Sequence, residues 1–372
     1  MRLAYVCADP GIPVQGHKGA SVHLRSLASA LYRRGHEVLL VARAIEGQNP
    51  PPAGVTLERL PSDQAEAAAW LTTRLRDWGA DVVLERYSLS SGPALRVAHM
   101  LGLALVLEVN APLVDEAARY RGLTKVDAWR AREKELMRAS DHVIAVSNGV
   151  RDHVLMCGVP RQRVVMVRNG VDVTLFAAGR GNGLRRRYGL RGKLVVGFAG
   201  SLKAWHGVRT LVHALAGLPE IVHLLVVGDG PQRDDIEALA TTLKVSKRLR
   251  MAGAVPHERM PDYLAAMDVA VAPYEAQVGF YFSPLKVMEY LAAGLPVVAS
   301  NQGDLPDIIG DAGVLVAPGD EPALRGALSR LLQNDRRRKE LSLRALRRAR
   351  AMSWDYVAKD VESVLALRAV AA

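Results

Sequence analysis

Short apolar runs bounded by glycine and proline alternate along the chain with stretches whose apolar residues recur three and four positions apart. The first kind reads as buried strand and the second as amphipathic helix. Residues 2–8 are an expected strand, and a loop rich in glycine and proline follows. A helix opens at Gly19-Ala20-Ser21, with Ala20, Leu24, Leu27, Ala28 and Leu31 on one face and Gly35 at its end. Strands are expected again at 37–42, 81–85, 104–109, 142–146 and 164–167, with helices at 92–101 and 129–139. The stretch 179–192, rich in glycine and arginine, is the best linker candidate. Beyond it, strands at 193–199, 223–227, 249–252 and 269–272 enclose further helices. The last forty residues read as helix, with Trp354, Val357, Val361, Val364 and Leu365 as an apolar stripe. This is an α/β pattern of doubly wound sheets, in which ligands sit at the carboxyl ends of strands.

The stretch 273–300, PYEAQVGFYFSPLKVMEYLAAGLPVVAS, organises the second half. Ser283 is placed to cap a helix and Pro284 to fill its first position. Gly294 closes that helix in the left-handed conformation, and Pro296 prevents its continuation. The amides of Leu285 and Lys286 then form a seat for phosphate, with Glu289 one turn deeper, where it can accept from ribose hydroxyls. The plainer alternative is a core crossover in which Glu289 pairs with Lys286. Two other loops lie at strand ends. Gly19 lets backbone approach a phosphate, and the loop from Gly200 to Gly207 carries Lys203, whose ammonium suits a diphosphate. Glu85, Arg86, Glu108 and Asn110 also cluster at strand ends, where pairing of Glu85 with Arg86, or of Glu108 within a polar pocket, is expected.

The 372 residues exceed one ordinary core, so two domains are expected. Residues 7–11 lack the spacing of a dinucleotide fingerprint, which argues against nicotinamide and flavin. Two cysteines, Cys7 and Cys157, leave no disulfide framework and suit a reducing cytoplasm; a metal site built on cysteines is excluded by count. Met1 leads straight into a strand, so no signal peptide is expected, and no apolar run is long enough to span a membrane. A net charge of +11, with arginines clustered at 185–187, 336–338 and 347–350, reads as a solvated helix face or as a surface for nucleic acid, anionic lipid or phosphorylated ligands. Only 5% of residues are aromatic and no motif of an RNA-binding module interleaves with that charge, which makes nucleic acid the weakest of those partners. Peripheral contact with an anionic membrane stays open.

Four blocks carry a resemblance: RRGHEV (33–38), RNGVD (168–172), VVGDGP (226–231) and EYLAAGLPVVAS (289–300). In this order the chain resembles the family 4 glycosyltransferases nearly end to end. The resemblance implies the GT-B fold, two Rossmann-like domains facing across a cleft: residues 1–175 for the acceptor and 193–350 for the donor. A C-terminal helix, 355–372, crosses back to the first domain. It implies transfer of a hexosyl group from a UDP- or GDP-sugar to an acceptor hydroxyl, with retention and without a metal or other cofactor. The acceptor class is a small molecule, a glycan or a lipid-linked sugar. The family's paired glutamates stand eight apart; Glu289 matches the second, and the first falls on Tyr281. The family's arginine and lysine on the diphosphate fall on Ser201 and His206.

Lys203 and Lys286 are therefore the expected source of that charge, with Glu289 completing the catalytic set. The expected donor site comprises Gly19, Ala20, Gly200, Ser201, Trp205, His206, Ala254, Val255, Phe282, Ser283, Pro284 and Leu285. Lys18, Glu108 and Asn110 stand on the acceptor side. A nucleotide-sugar epimerase of the same fold and a non-catalytic partner subunit are the rival readings.

Overall fold

The computed structural model describes residues 1–277 and 279–367. The chain forms two compact units. Of the described residues, one holds 1–170, 281–283 and 354–367; the other holds 171–277, 279–280 and 284–353.

In the first unit, β1 (Arg2–Cys7), β2 (Glu37–Ala42), β3 (Thr56–Arg59), β4 (Val82–Arg86), β5 (Ala104–Val109), β6 (His142–Ala145) and β7 (Val164–Met166) form a parallel sheet. Their order is 3-2-1-4-5-6-7 among the described residues, and Tyr5 pairs with Leu40 on one side and Leu84 on the other. Sheets of this kind are covered on both faces, so their strands are apolar throughout rather than alternating; β4 is buried at every position. The helices are α1 (Gly19–Arg33), α2 (Gln64–Trp78), α3 (Pro93–Leu101), α4 (Leu113–Tyr120), α5 (Val126–Ala139) and α6 (Asn148–Met156). The pair β3 and α2 goes unmarked in the hydrophobic pattern. The start of α2 is nevertheless local chemistry: the Asp63 carboxylate accepts from the amides of Ala65 and Glu66.

In the second unit, β8 (Leu194–Ala199), β9 (Val222–Val227), β10 (Leu249–Gly253), β11 (Val269–Ala272), β12 (Val297–Ser300) and β13 (Gly313–Val316) form a parallel sheet in the order 10-9-8-11-12-13. It is flanked by α7 (Val173–Ala177), α8 (Asn182–Arg187), α9 (Val208–Ala216), α10 (Arg233–Thr242), α11 (Met260–Leu264), α12 (Leu285–Ala292), α13 (Leu305–Ile309), α14 (Glu321–Gln333) and α15 (Asp335–Arg350). Val196, Phe198, Leu211, Leu224, Val271, Val298 and Leu328 lie at the centre of its core.

The glycine-rich stretch 179–192 is not a free linker. It contains α8, buries Leu184 and Leu190, and places Gly179 and Gly181 where any Cβ would overlap the backbone of Pro261 and Ala265. These two glycines serve close packing, and Arg185 meets Asp268 at 2.9 Å. The units divide instead beside Gly170.

The last helix, α16 (Trp354–Leu365), belongs to the first unit, and its apolar stripe is buried. It packs along α1, where Arg33 bonds Asp355 and Arg34 meets Glu362. Residues 368–372, the end of the expected final helix, lie outside the described residues. Both units are doubly wound α/β domains of Rossmann type.

Candidate donor site and its supporting network

The loop after β8 is held from below by the turn after β9. Gly228 has φ 136° and Gly230 φ 159°. A Cβ on Gly228 would overlap the Gly200 carbonyl, and one on Gly230 would come within 2.7 Å of the Leu202 nitrogen. With no side chain there, the Gly200 amide donates to the Val227 carbonyl at 2.9 Å and the Leu202 amide to that of Asp229 at 3.0 Å. The Gly-Asp-Gly turn is thus the floor that fixes residues 200–202.

Within this loop, His206 Nδ1 lies 2.5 Å from the Ser201 carbonyl oxygen. Burial, and then the charge of Lys286, push His206 down to about 3, so the neutral ring donates its Nδ1–H to that carbonyl. Lys203 is exposed, its Nζ 4.8 Å from the centre of the Trp205 ring. Glu275 is occupied elsewhere: Thr210 Oγ1 donates to it at 2.5 Å, and its amide bonds the Trp205 carbonyl.

Lys286 leaves the first turn of α12. Its Nζ lies 4.3 Å from the ring centre of Phe198 and 5.1 Å from that of Tyr274, and it has no hydrogen-bond partner. A Cβ on Gly200 would stand 2.9 Å from it. Burial pushes this ammonium down to about 7, opposed only weakly by Glu289. A buried cation with aromatic faces beside it and no anion on it is expensive. No side chain caps the amides of α12. Glu289, one turn on, places Oε1 3.0 Å from Nε2 of His257, so pairing with Lys286 is not the contact formed. Ala254 and Val255 precede that histidine on the loop after β10.

The expected cap at Ser283 is not made. The helix begins at Leu285, Pro284 is its N-cap residue, and Ser283 Oγ has no partner. A long-range restraint overrides the local preference. Asn169 Nδ2 donates to the Ser283 carbonyl at 2.9 Å, Ser147 Oγ to that of Tyr281 at 2.6 Å, and the Tyr281 hydroxyl to Glu116 at 3.1 Å. These bonds hold residues 281–283 in the first unit.

Asn169 also connects to the polar centre of that unit, accepting through Oδ1 a bond from His23 Nδ1 at 2.8 Å. The other ring nitrogen of His23 is 2.5 Å from Glu108 Oε1, while Glu108 Oε2 accepts from Tyr5 at 2.8 Å and lies 3.7 Å from Arg86. These partners, led by His23, outweigh burial and hold Glu108 down at about 2. Arg86 thus serves Glu108, not Glu85, contrary to the simpler pairing. Burial raises Glu85 to about 7, only partly offset by Ser91 and Gly92. Glu108 is enclosed with both oxygens engaged, so it offers no free carboxylate to an acceptor. Asn110 does present an unused donor, as its Nδ2 has no partner. Lys18 Nζ bonds the Gly11 carbonyl at 2.8 Å, while Gly19 and Ala20 open α1.

Of the expected site residues, Gly200, Ser201, Lys203, Trp205, His206 and Lys286 gather at one strand end of the second unit, with Glu289 a turn deeper on α12. Lys18, Gly19, Ala20, Glu108, Asn110, Phe282 and Ser283 belong to the first unit. Sequence reasoning passes over Phe198, Tyr274 and His257, and over His23 and Asn169. Asn169 alone carries a signal, standing in the RNGVD block.

Residues 17–175 match the model described as Glycosyltransferase Family 4, and residues 193–334 that of Glycosyl transferases group 1. A D-inositol 3-phosphate glycosyltransferase of Xylanimonas cellulosilytica is 30% identical over 94% of this chain and 91% of its own length. The chain belongs to the family 4 glycosyltransferases. It is also similar to a GDP-mannose-dependent alpha-mannosyltransferase of Mycolicibacterium smegmatis, 29% identical over the full length of both chains. In fold it is similar to Anabaena Alr3699/HepE, solved in complex with UDP, with a TM-score of 0.79 at 18% identity, covering 98% of this chain and 99% of that one. The fold is GT-B. Among the described residues, no helix is long and apolar enough to cross a membrane.

Proposed function

We propose that this glycosyltransferase moves a hexosyl group from a UDP- or GDP-sugar to an acceptor hydroxyl with retention of configuration, using no metal in the transfer. The observation that carries the reading is Lys286: a buried ammonium without a hydrogen-bond partner, at the uncapped start of α12 and beside Gly200. A diphosphate supplies the missing anion. As the glycosidic bond breaks, negative charge grows on the leaving β-phosphate, and a fixed ammonium and helix amides stabilise that charge more than the ground state. Lys203 adds a second, exposed cation from the Gly200 loop. The leaving phosphate oxygen takes the proton of the attacking hydroxyl, which makes a side-chain base unnecessary. Glu289, oriented by His257, accepts from ribose hydroxyls.

A relative named for GDP-mannose and a structural neighbour solved in complex with UDP support a nucleotide-sugar donor with either base. A basic face on α15 supports peripheral contact with an anionic membrane. The reading as a non-catalytic partner rests on Tyr281, whose hydroxyl is given to Glu116 where the family has a glutamate. The deciding experiment incubates the protein with UDP- and GDP-hexoses, with and without candidate acceptors. Release of the nucleoside diphosphate from one donor, abolished in Lys286→Met, supports transfer. No release from any donor, with or without acceptor, overturns it.

A further inference from the structure

Three ligand-capable atoms converge in the first unit on residues to which the transfer reaction assigns no role. Cys157 ends α6, His153 stands one turn before it, and Glu133 faces them from α5. His153 Nε2 lies 3.3 Å from Glu133 Oε2 and 3.8 Å from Cys157 Sγ, and the three atoms all fall within 4.8 Å of one another. Glu133 and Cys157 are buried, and the His153 side chain is only 12% exposed.

An ion pair alone accounts poorly for this arrangement. One nitrogen, Nε2, faces both the carboxylate and the sulfur, and a single N–H can be directed at only one of them. A Cys-His-Glu relay would instead place sulfur and carboxylate on opposite ring nitrogens. Convergence of S, N and O on one point is what a cation requires, and these spacings bring the three atoms around it after small side-chain adjustments. The other carboxylate oxygen, Oε1, accepts from the Tyr87 hydroxyl at 2.7 Å, the outer-shell bond that orients a ligating carboxylate. Arg138 Nε donates to the Cys157 carbonyl at 2.8 Å and fixes the end of α6. Two cysteines rule out a site built on cysteines alone, but one thiolate suffices when imidazole and carboxylate complete the set.

We propose that Glu133, His153 and Cys157 bind a zinc ion, with water as the fourth ligand. Thiolate and imidazole select a borderline-soft divalent ion over magnesium or calcium. Binding displaces the Cys157 thiol proton and any proton on His153 Nε2 to solvent. The ion braces α5 against α6, the helix whose N-cap Ser147 holds the Tyr281 carbonyl. It stands apart from donor chemistry, so the site survives even if the proposed transfer is wrong.

The test uses the full chain stripped with a chelator and titrated with Co²⁺. Thiolate-to-cobalt absorption in the near ultraviolet, saturating at one equivalent and displaced by Zn²⁺, is the expected result. Cys157→Ser abolishes that band, Cys7→Ser leaves it intact, and Tyr87→Phe weakens affinity about tenfold. The variants are first checked for native circular dichroism; should Cys157→Ser fail this check, His153→Gln takes its place. Absence of the band in the wild type, or its persistence in Cys157→Ser, overturns the proposal.

Discussion

His23 Nε2 lies 2.5 Å from Glu108 Oε1, joining α1 to the end of β5 across a sequence separation that no local pattern reveals. Glu108 is held at about 2, below the roughly 4.3 of an unfolded glutamate. Between those values the unfolded chain binds more protons, so the stabilisation is complete above about pH 4.3 and is lost as pH falls toward 2. Glu108→Gln should cost roughly 3–5 kcal/mol at neutral pH, because it strands the partners of a buried charge. It should also flatten the acid side of the stability profile. Urea unfolding between about pH 2 and 7 checks both; a variant curve parallel to wild type would contradict the assignment.

Lys286 has the opposite sign. Its folded value of about 7 lies below the roughly 10.4 of a free lysine, so its charged form opposes folding of the ligand-free protein. That penalty is full below about pH 7 and fades as pH rises toward 10.4. Lys286→Met should therefore stabilise the ligand-free protein at pH 6 by about 1–4 kcal/mol. The same change should weaken nucleotide-sugar binding ten- to a hundredfold, the worth of a charge-assisted hydrogen bond. Calorimetry should show wild-type affinity declining as pH rises through 7 and the variant indifferent to it.

Gly228 and Gly35 offer a matched pair. Both have positive φ, but a Cβ at Gly35 meets nothing while one at Gly228 overlaps the Gly200 carbonyl. Gly35→Ala should cost about 1–2 kcal/mol, from backbone strain alone. Gly228→Ala should cost more than about 3 kcal/mol and displace the loop that carries Ser201 and Lys203. Equal losses in thermal unfolding would remove the close approach from the account.

Lys203 is exposed on the Trp205 ring, so Lys203→Ala should leave the melting temperature within about a degree of wild type. Turnover at saturating donor should fall at least about tenfold if this cation stabilises the leaving phosphate. Unchanged turnover would restrict Lys203 to the surface.

Much of this architecture is legible in the sequence because buried parallel strands are apolar throughout and their loops carry glycine. The strand–helix alternation, the left-handed Gly294 and the stripe of α16 follow from local rules. What escapes is long-range. Ser283 has the residue type and position of a cap, yet Asn169, 114 residues away, takes its carbonyl and the cap is lost. Stretch 179–192 has the composition of a linker, yet Gly179 and Gly181 lie against Pro261 and Ala265. His257 gives no periodic signal, and only the fold brings it to Glu289. At Glu108 the residue is legible as a polar node, but not that its oxygens are fully spent on Tyr5, His23 and Arg86.

The central claim is that Lys286 awaits a diphosphate. Crystals soaked with UDP or GDP test it most directly. The account requires a β-phosphate oxygen at hydrogen-bond distance, about 3 Å, from Lys286 Nζ, with the phosphates over the start of α12 and the Gly200 loop. A nucleotide bound elsewhere, with Nζ still lying unpartnered against Phe198 and Tyr274, would contradict it.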